Sequence, residues 1–374
     1  MSTENPLRRL HRFGQSVWLD YIQRGMLTSG EVTRLIAQDA LTGMTTNPAI
    51  FENAITQHHD YDAAIAALAL EGRAVAEIYE ALVVEDVGRA ADLLRPTYEE
   101  SGGRDGYVSL EVTPHIAYDT EATIVEAQRL WRRVARPNLM IKVPATQAGL
   151  QSIRRLIALG VNVNVTLLFG VARYREVAAA WMAGLEDRLA AGAPLAGVAS
   201  VASFFLSRID THVDHLLDEA DGPAVRALRG QTAIACARLA YQEYKALTAG
   251  RRWQTLAANG VKSQRLLWLS TSTKDRAYHD LKYVEALIGS ETVNTLTPET
   301  LAAYRNRGEP ADRLEEDLDV AGTLPERLAA LGVDLETVSA ELELQGVRKF
   351  VESFDRLHAA LEGRGTRPPT AQAH

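Results

Sequence analysis

Short apolar runs recur along this chain, separated by longer stretches with helical periodicity. The runs read as strands at residues 17–19, 41–45, 107–112, 139–143, 161–168, 198–203, 266–270 and 292–296. The stretches between them read as helices at 31–38, 61–69, 74–94, 121–134, 148–159, 171–190, 207–217, 224–247 and 278–287. Parallel strands need a long crossover, usually a helix, so the alternation predicts a parallel sheet. Eight such units in about 300 residues predict an α/β fold, a single closed (β/α)8 TIM barrel. An open doubly wound sheet is the alternative.

The polar positions inside the strands favour the barrel. Asn162, Asn164 and Thr166 fall on one face of their strand, opposite Val161, Val163, Val165 and Leu167. Tyr107, Ser109 and Glu111 likewise oppose Val108, Leu110 and Val112. An interior strand of an open α/β sheet is apolar on both faces. A barrel strand can turn polar residues inward near its C-terminal end, where active sites lie.

Lys142, in the stretch NLMIKVPAT, shares a strand face with Met140. A buried ammonium is costly unless paired or neutral. A desolvated lysine loses its proton more easily and can add to carbonyl carbons. The alternative is a strand-end lysine whose head reaches water.

Residues 325–361 lie outside the repeat and read as additional C-terminal helices, approached by an acidic helix or loop at 313–319. The domain is expected to span 1–362. Residues 363–374, with two prolines and small polar residues, are expected to be a disordered tail.

Composition narrows the partners. Hydrophobic residues make up 47% and charged residues 24%, as in an ordinary globular protein with a sizeable core. The net charge of -8 argues against a nucleic-acid or membrane-surface partner. A phosphorylated substrate would therefore need locally placed cations. The single cysteine, Cys236, forbids an internal disulfide and is expected to pack on a helix over 231–247. MSTENPLRRLHRFGQ lacks the apolar core of a signal peptide, and no run is long enough to span a membrane. The expected location is cytoplasmic.

The chain carries no GxGxxG after a strand, no GxxxxGK[ST], no CxxC and no HExxH. His58–His59 and the pair His212/His215 read as surface histidines rather than metal ligands, so no metal is expected. His115 reads as a structural loop residue. What remains is a set of polar residues at strand C-termini: Asp20, Asn47, Glu111, Lys142, Asn164, Thr166, Ser203 and Ser270. Each has a plain structural reading. Asp20 could cap a helix, Asn47 could form a turn, and Glu111 could be a solvated strand end. Asn164 and Thr166 could be hydrogen-bonding filler, and the two serines could be packing or turn residues. In a barrel, however, all eight would face one cavity.

The segments LTGMTTNPAIF, SLEVTPHIAYD, LMIKVPAT, VNVNVTLLF, SFFLSRID and LWLSTSTKD, in this order, resemble transaldolase in its longer bacterial form. The resemblance covers nearly the whole chain. It implies a (β/α)8 barrel with a Schiff-base lysine and no cofactor. It also implies transfer of a dihydroxyacetone unit from sedoheptulose 7-phosphate to glyceraldehyde 3-phosphate, giving erythrose 4-phosphate and fructose 6-phosphate.

By the same resemblance, Lys142 is the Schiff-base lysine and Asp20 the acid/base that takes the donor hydroxyl proton. Glu111 works through a water held by Thr166. Asn47 and Asn164 bind donor hydroxyls. Ser203 and Arg208, with Phe205 nearby, match donor and phosphate contacts. Here SFFLSRI stands where an SPFVGRI-like pattern is usual. STSTKD replaces an SFRN-like turn, so Lys274 takes the place of the second phosphate cation. Either Ser270 or Ser272 takes the serine role. A fructose 6-phosphate aldolase and a non-catalytic barrel used for binding are the other readings. Glu111 and Phe205 favour transfer, because related aldolases tend to carry glutamine and tyrosine there. The implied partners are phosphorylated sugars, with the protein a monomer or homodimer.

Overall fold

A computed structural model describes residues 4–219 and 222–365. Eight parallel strands close into a barrel in sequence order. They are β1 (Gln15–Asp20), β2 (Leu41–Thr45), β3 (Tyr107–Glu111), β4 (Leu139–Pro144), β5 (Val163–Leu168), β6 (Ser200–Phe205), β7 (Arg265–Leu269) and β8 (Thr292–Leu296). β1 pairs with both β2 and β8, which closes the ring and removes every sheet edge. The expected alternation of strands and helices is therefore the observed one, and the open-sheet alternative falls.

Some boundaries differ from the sequence reading. β6 begins at Ser200, not 198, because Gly197 adopts φ 86° and Val198 N–H turns back to the Leu195 carbonyl. Ser203 is thus inside the strand and Phe205 ends it. The helix expected over 224–247 is two, Pro223–Arg226 and Thr232–Ala249, broken where Gly230 takes a left-handed φ of 67°. Cys236 is buried on the second of these. The helix expected to end at Leu94 runs on through Pro96, as Val75–Glu100. Asp20 caps no helix; it is the last residue of β1.

The N-terminal end of the barrel is plugged by a buried ion pair. Arg265, the first residue of β7, donates to Asp105 at 3.0 Å. Asp105 also accepts from Ser16 Oγ at 2.6 Å and Trp18 Nε1 at 3.0 Å. The Trp18 indole lies against Gly43 of β2. A Cβ there would sit 2.4 Å from the ring, so only glycine fits.

The C-terminal end is covered by the 31-residue helix Leu335–Gly365. It reaches from His212, hydrogen-bonded to Glu341 at 2.9 Å, to Glu52, paired with Arg356 at 2.6 Å. Between these anchors, His115 meets Asp355 at 3.1 Å and packs 5.5 Å from the Phe354 ring. A second helix, Leu318–Ala329, precedes it. Residues 363–365, expected in the tail, belong to the covering helix, and 366–374 lie outside the described residues. Among the described residues, no helix is long and apolar enough to cross a membrane.

Candidate active site at the barrel mouth

Glu111, Lys142 and Asn164 stand side by side on β3, β4 and β5. The sequence period of two turns all three inward, and the observed strand register brings them level. Lys142 is fully buried, so its head does not reach water. Its Nζ donates to the Thr46 carbonyl at 3.1 Å and lies 3.3 Å from Glu111 Oε2. The Glu111 contact falls short of hydrogen-bond geometry, and neither Glu111 oxygen has a hydrogen-bond partner. Burial pushes the Glu111 carboxyl up to about 7, against the opposing charge of Lys142. Thr166 Oγ1 is also buried without a hydrogen-bond partner.

Asp20 closes the set from β1. Its Oδ1 accepts from Thr45 Oγ1 at 2.7 Å. Burial raises its pKa; the charge of Lys142, the Thr45 bond, and the charges of Arg208 and Lys274 pull it back. Asn164 and Ser203 belong to one internal chain. Ser203 Oγ donates to Asn164 Oδ1 at 2.6 Å, and Asn164 Nδ2 donates to Ser109 Oγ at 2.9 Å. Asn47 accepts from Ile50 N–H at 3.0 Å and caps the helix Pro48–Gln57. The cap uses its carbonyl and leaves its amide donors for other partners.

The cations lie around the rim of β6 and β7. Arg208 is the second residue of the helix Ser207–Asp218, with its guanidinium 5.4 Å over the Phe205 ring. That ring packs 5.1 Å from Phe169. Arg208 makes no ion pair among the described residues. Its helix neighbours are engaged elsewhere: Asp210 by Lys282 and Tyr283, Asp214 by Tyr278 and the Gly230 N–H. Lys274 is exposed in the loop after β7 and donates to Ser272 Oγ at 3.2 Å. Ser270 has φ 57°, and its carbonyl takes the Ser207 N–H at 3.0 Å, joining the two rims. A non-glycine residue at such a φ is uncommon and stores strain at the mouth.

A family model described as Transaldolase/Fructose-6-phosphate aldolase matches residues 17–361. This chain belongs to the transaldolase/fructose-6-phosphate aldolase family. A protein named Transaldolase 2 from Nostoc punctiforme is 47% identical, over 97% of this chain and 98% of its own length. Transaldolase from Thiobacillus denitrificans is also 47% identical, over 96% and 99%. Transaldolase 1 from Streptomyces avermitilis is 46% identical, over 97% and 98%. The resemblance read from the motifs is thus the family found by comparison.

Three residues at the site escaped the sequence reading. Thr45 was visible inside TTNP, but only the register of β1 against β2 places its hydroxyl on Asp20. Thr295 of β8 meets Thr45 at 2.8 Å. Phe350 lies 5.7 Å from Lys142 Nζ, and nothing in its helix marks it.

Proposed function

We propose that this protein is a transaldolase that carries a dihydroxyacetone unit on Lys142. The observation that carries this is the fully buried Lys142 nitrogen, 3.3 Å from a Glu111 carboxyl poised near neutrality. The amine adds to the ketone of the sugar phosphate and water leaves, giving the protonated imine. Asp20, as carboxylate, then takes the proton of the hydroxyl beyond the bond to be cut. That carbon becomes the aldehyde of the product. The electron pair of the broken carbon–carbon bond moves to the iminium, giving an enamine. An acceptor aldehyde reverses these steps, and water releases the new ketose. The iminium does the work that a Lewis acid would do elsewhere.

Glu111 supports the imine steps, since a carboxyl titrating near 7 can both give and take a proton. Its oxygens and the Thr166 hydroxyl are buried without hydrogen-bond partners, and such atoms bind water or ligand. The two carboxyls differ in role because they differ in surroundings. Asn47, Asn164 and Ser203 would hold donor hydroxyls. Arg208 and Lys274, with Ser272, would hold the phosphate. The Lys274–Ser272 bond favours Ser272 over Ser270, whose backbone is committed to the joint with Ser207. The expected ligands are phosphorylated sugars, and the expected location is the cytoplasm.

A coupled assay with sedoheptulose 7-phosphate and glyceraldehyde 3-phosphate tests the reading, with erythrose 4-phosphate the expected product. If fructose 6-phosphate alone released free dihydroxyacetone at the transfer rate, an aldolase would replace it. If neither reaction proceeded, a non-catalytic barrel would.

A further inference from the structure

The Asp20 carboxylate is the end of a hydroxyl chain that crosses the seam where the barrel closes. Thr45 of β2 stands beside Asp20 in register, and Thr295 of β8 stands beside Trp18 on the other side of β1. Thr45 Oγ1 lies 2.7 Å from Asp20 Oδ1 and 2.8 Å from Thr295 Oγ1. Both threonines are buried, at 0% and 1% exposure.

The direction of this chain is set by counting hydrogens. A hydroxyl has one to give, and an ionised carboxylate has none. With Asp20 ionised, Thr45 donates to it and Thr295 must donate to Thr45. Every hydroxyl hydrogen then has an acceptor. If Asp20 turned a proton toward Thr45, the chain would reverse and Thr295 would need a further acceptor. Among the described residues its hydroxyl has no other partner. With the proton on Oδ2 the direction holds, but the acceptor is neutral and the bond weaker. Within the hydroxyl chain itself, both alternatives are less well satisfied than the ionised arrangement.

We propose that Thr45 and Thr295 are positioning residues whose one-way hydroxyl chain aims Asp20 and keeps it ionised between proton transfers. The inference rests on the reading of Asp20 as the group that takes the donor hydroxyl proton. Other charges also face Asp20. Lys142 on β4, Arg208 after β6 and Lys274 after β7 favour the carboxylate, and Glu111 on β3 opposes it. Burial drives Asp20 toward its acid form, and the Thr45 bond is one of the forces that resist.

The test is the pH dependence of kcat in four variants. Thr45→Val keeps the shape of the side chain and removes the hydroxyl. Losing one hydrogen bond to a charged group is expected to move the acid limb upward by about one pH unit. Thr295→Val is expected to move it the same way by less, and it carries the test should Thr45→Val misfold. Thr45→Ser restores the hydroxyl and the original limb. Asp20→Asn is expected to lose carbon–carbon cleavage while borohydride still traps the imine. If cleavage fails in Asp20→Asn but both valine variants keep the wild-type limb, the proposal falls and the reading of Asp20 stands. A drop by one factor at every pH, with no moved limb, also overturns it. If Asp20→Asn cleaves normally, the reading falls and the proposal with it.

Discussion

Phe350 of the covering helix and Lys142 of β4 face each other across the barrel mouth, with the ammonium nitrogen 5.7 Å from the ring centre. The ring face is an attractive neighbour for a cation and excludes water from it. Phe350 is itself buried, so the lysine is enclosed from above by a helix outside the eight-unit repeat. Desolvation at Lys142 is therefore a property of the whole assembly and not of strand β4 alone. The same helix bears Gly346, where a Cβ would sit 2.7 Å from Leu167 and 3.6 Å from the Arg208 guanidinium.

Lys142 is expected to form the covalent intermediate. Borohydride with fructose 6-phosphate should fix a three-carbon adduct on this residue, found by peptide mapping. Lys142→Arg should abolish activity, because a guanidinium stays protonated and cannot add to a carbonyl. An adduct mapped to a different lysine would refute the assignment.

The strand ends were legible because a parallel barrel has a simple code. Apolar runs mark the strands, and a period of two separates the inward residues from the outward ones. Lys142, Glu111 and Asn164 followed from that code once the barrel closed. Thr45 and Thr295 did not, because their meeting depends on the register between β2 and β8 across β1. Phe350 did not either, because a helix says which side is apolar and not where it will dock. Gly230 broke one expected helix: it sits between Arg229 and Gln231, and a lone glycine can be carried inside a helix, so only its left-handed φ marks the break.

Glu111 should give the protein an unusual pH dependence. Its folded pKa is raised to about 7 from an ordinary value of 4.5. The folded state therefore binds the proton more tightly than the unfolded chain. Its favourable contribution is complete below about 4.5 and is lost as pH rises through about 7. The shift corresponds to a loss on the order of 3 kcal/mol. Urea unfolding of wild type and Glu111→Gln at pH 5 and pH 8 checks this. The wild type should weaken relative to the variant between those values. A constant difference would mean that the carboxyl titrates alike in both states.

Gly43 of β2 should not tolerate a side chain. Gly43→Ala forces a methyl to within 2.4 Å of the Trp18 indole, whose Nε1 is held by Asp105. The ring cannot retreat without breaking that bond. Overpacking of this kind costs about 1–3 kcal/mol. Thermal unfolding should show the loss, and Gly43→Ala combined with Trp18→Phe should recover part of it. A variant as stable as wild type would mean that the strands shift to make room.

The proposed phosphate end of the site gives the sharpest separation between binding and fold. An acidic chain must supply local cations for a sugar phosphate, and at the mouth neither Arg208 nor Lys274 makes an ion pair with a carboxylate among the described residues. Burial pulls the Arg208 pKa down, and the charges of Asp20 and Glu111 push it back. A phosphate bound there as proposed would complete its hydrogen bonding, and its planar fork can take two oxygens. A charged hydrogen bond contributes roughly 1.5–3 kcal/mol, so Arg208→Ala should weaken phosphorylated donors by about one to two orders of magnitude. Lys274→Ala should act in the same direction but less, because Lys274 is exposed and solvent screens it. Unphosphorylated dihydroxyacetone carries no phosphate for these cations to hold, so its imine, trapped by borohydride, should form at nearly the wild-type rate. The gap between the two substrate types should therefore narrow in both variants. Equal loss on both would mean that Arg208 supports the fold or Lys142, through its packing on Phe205, and that the phosphate binds elsewhere.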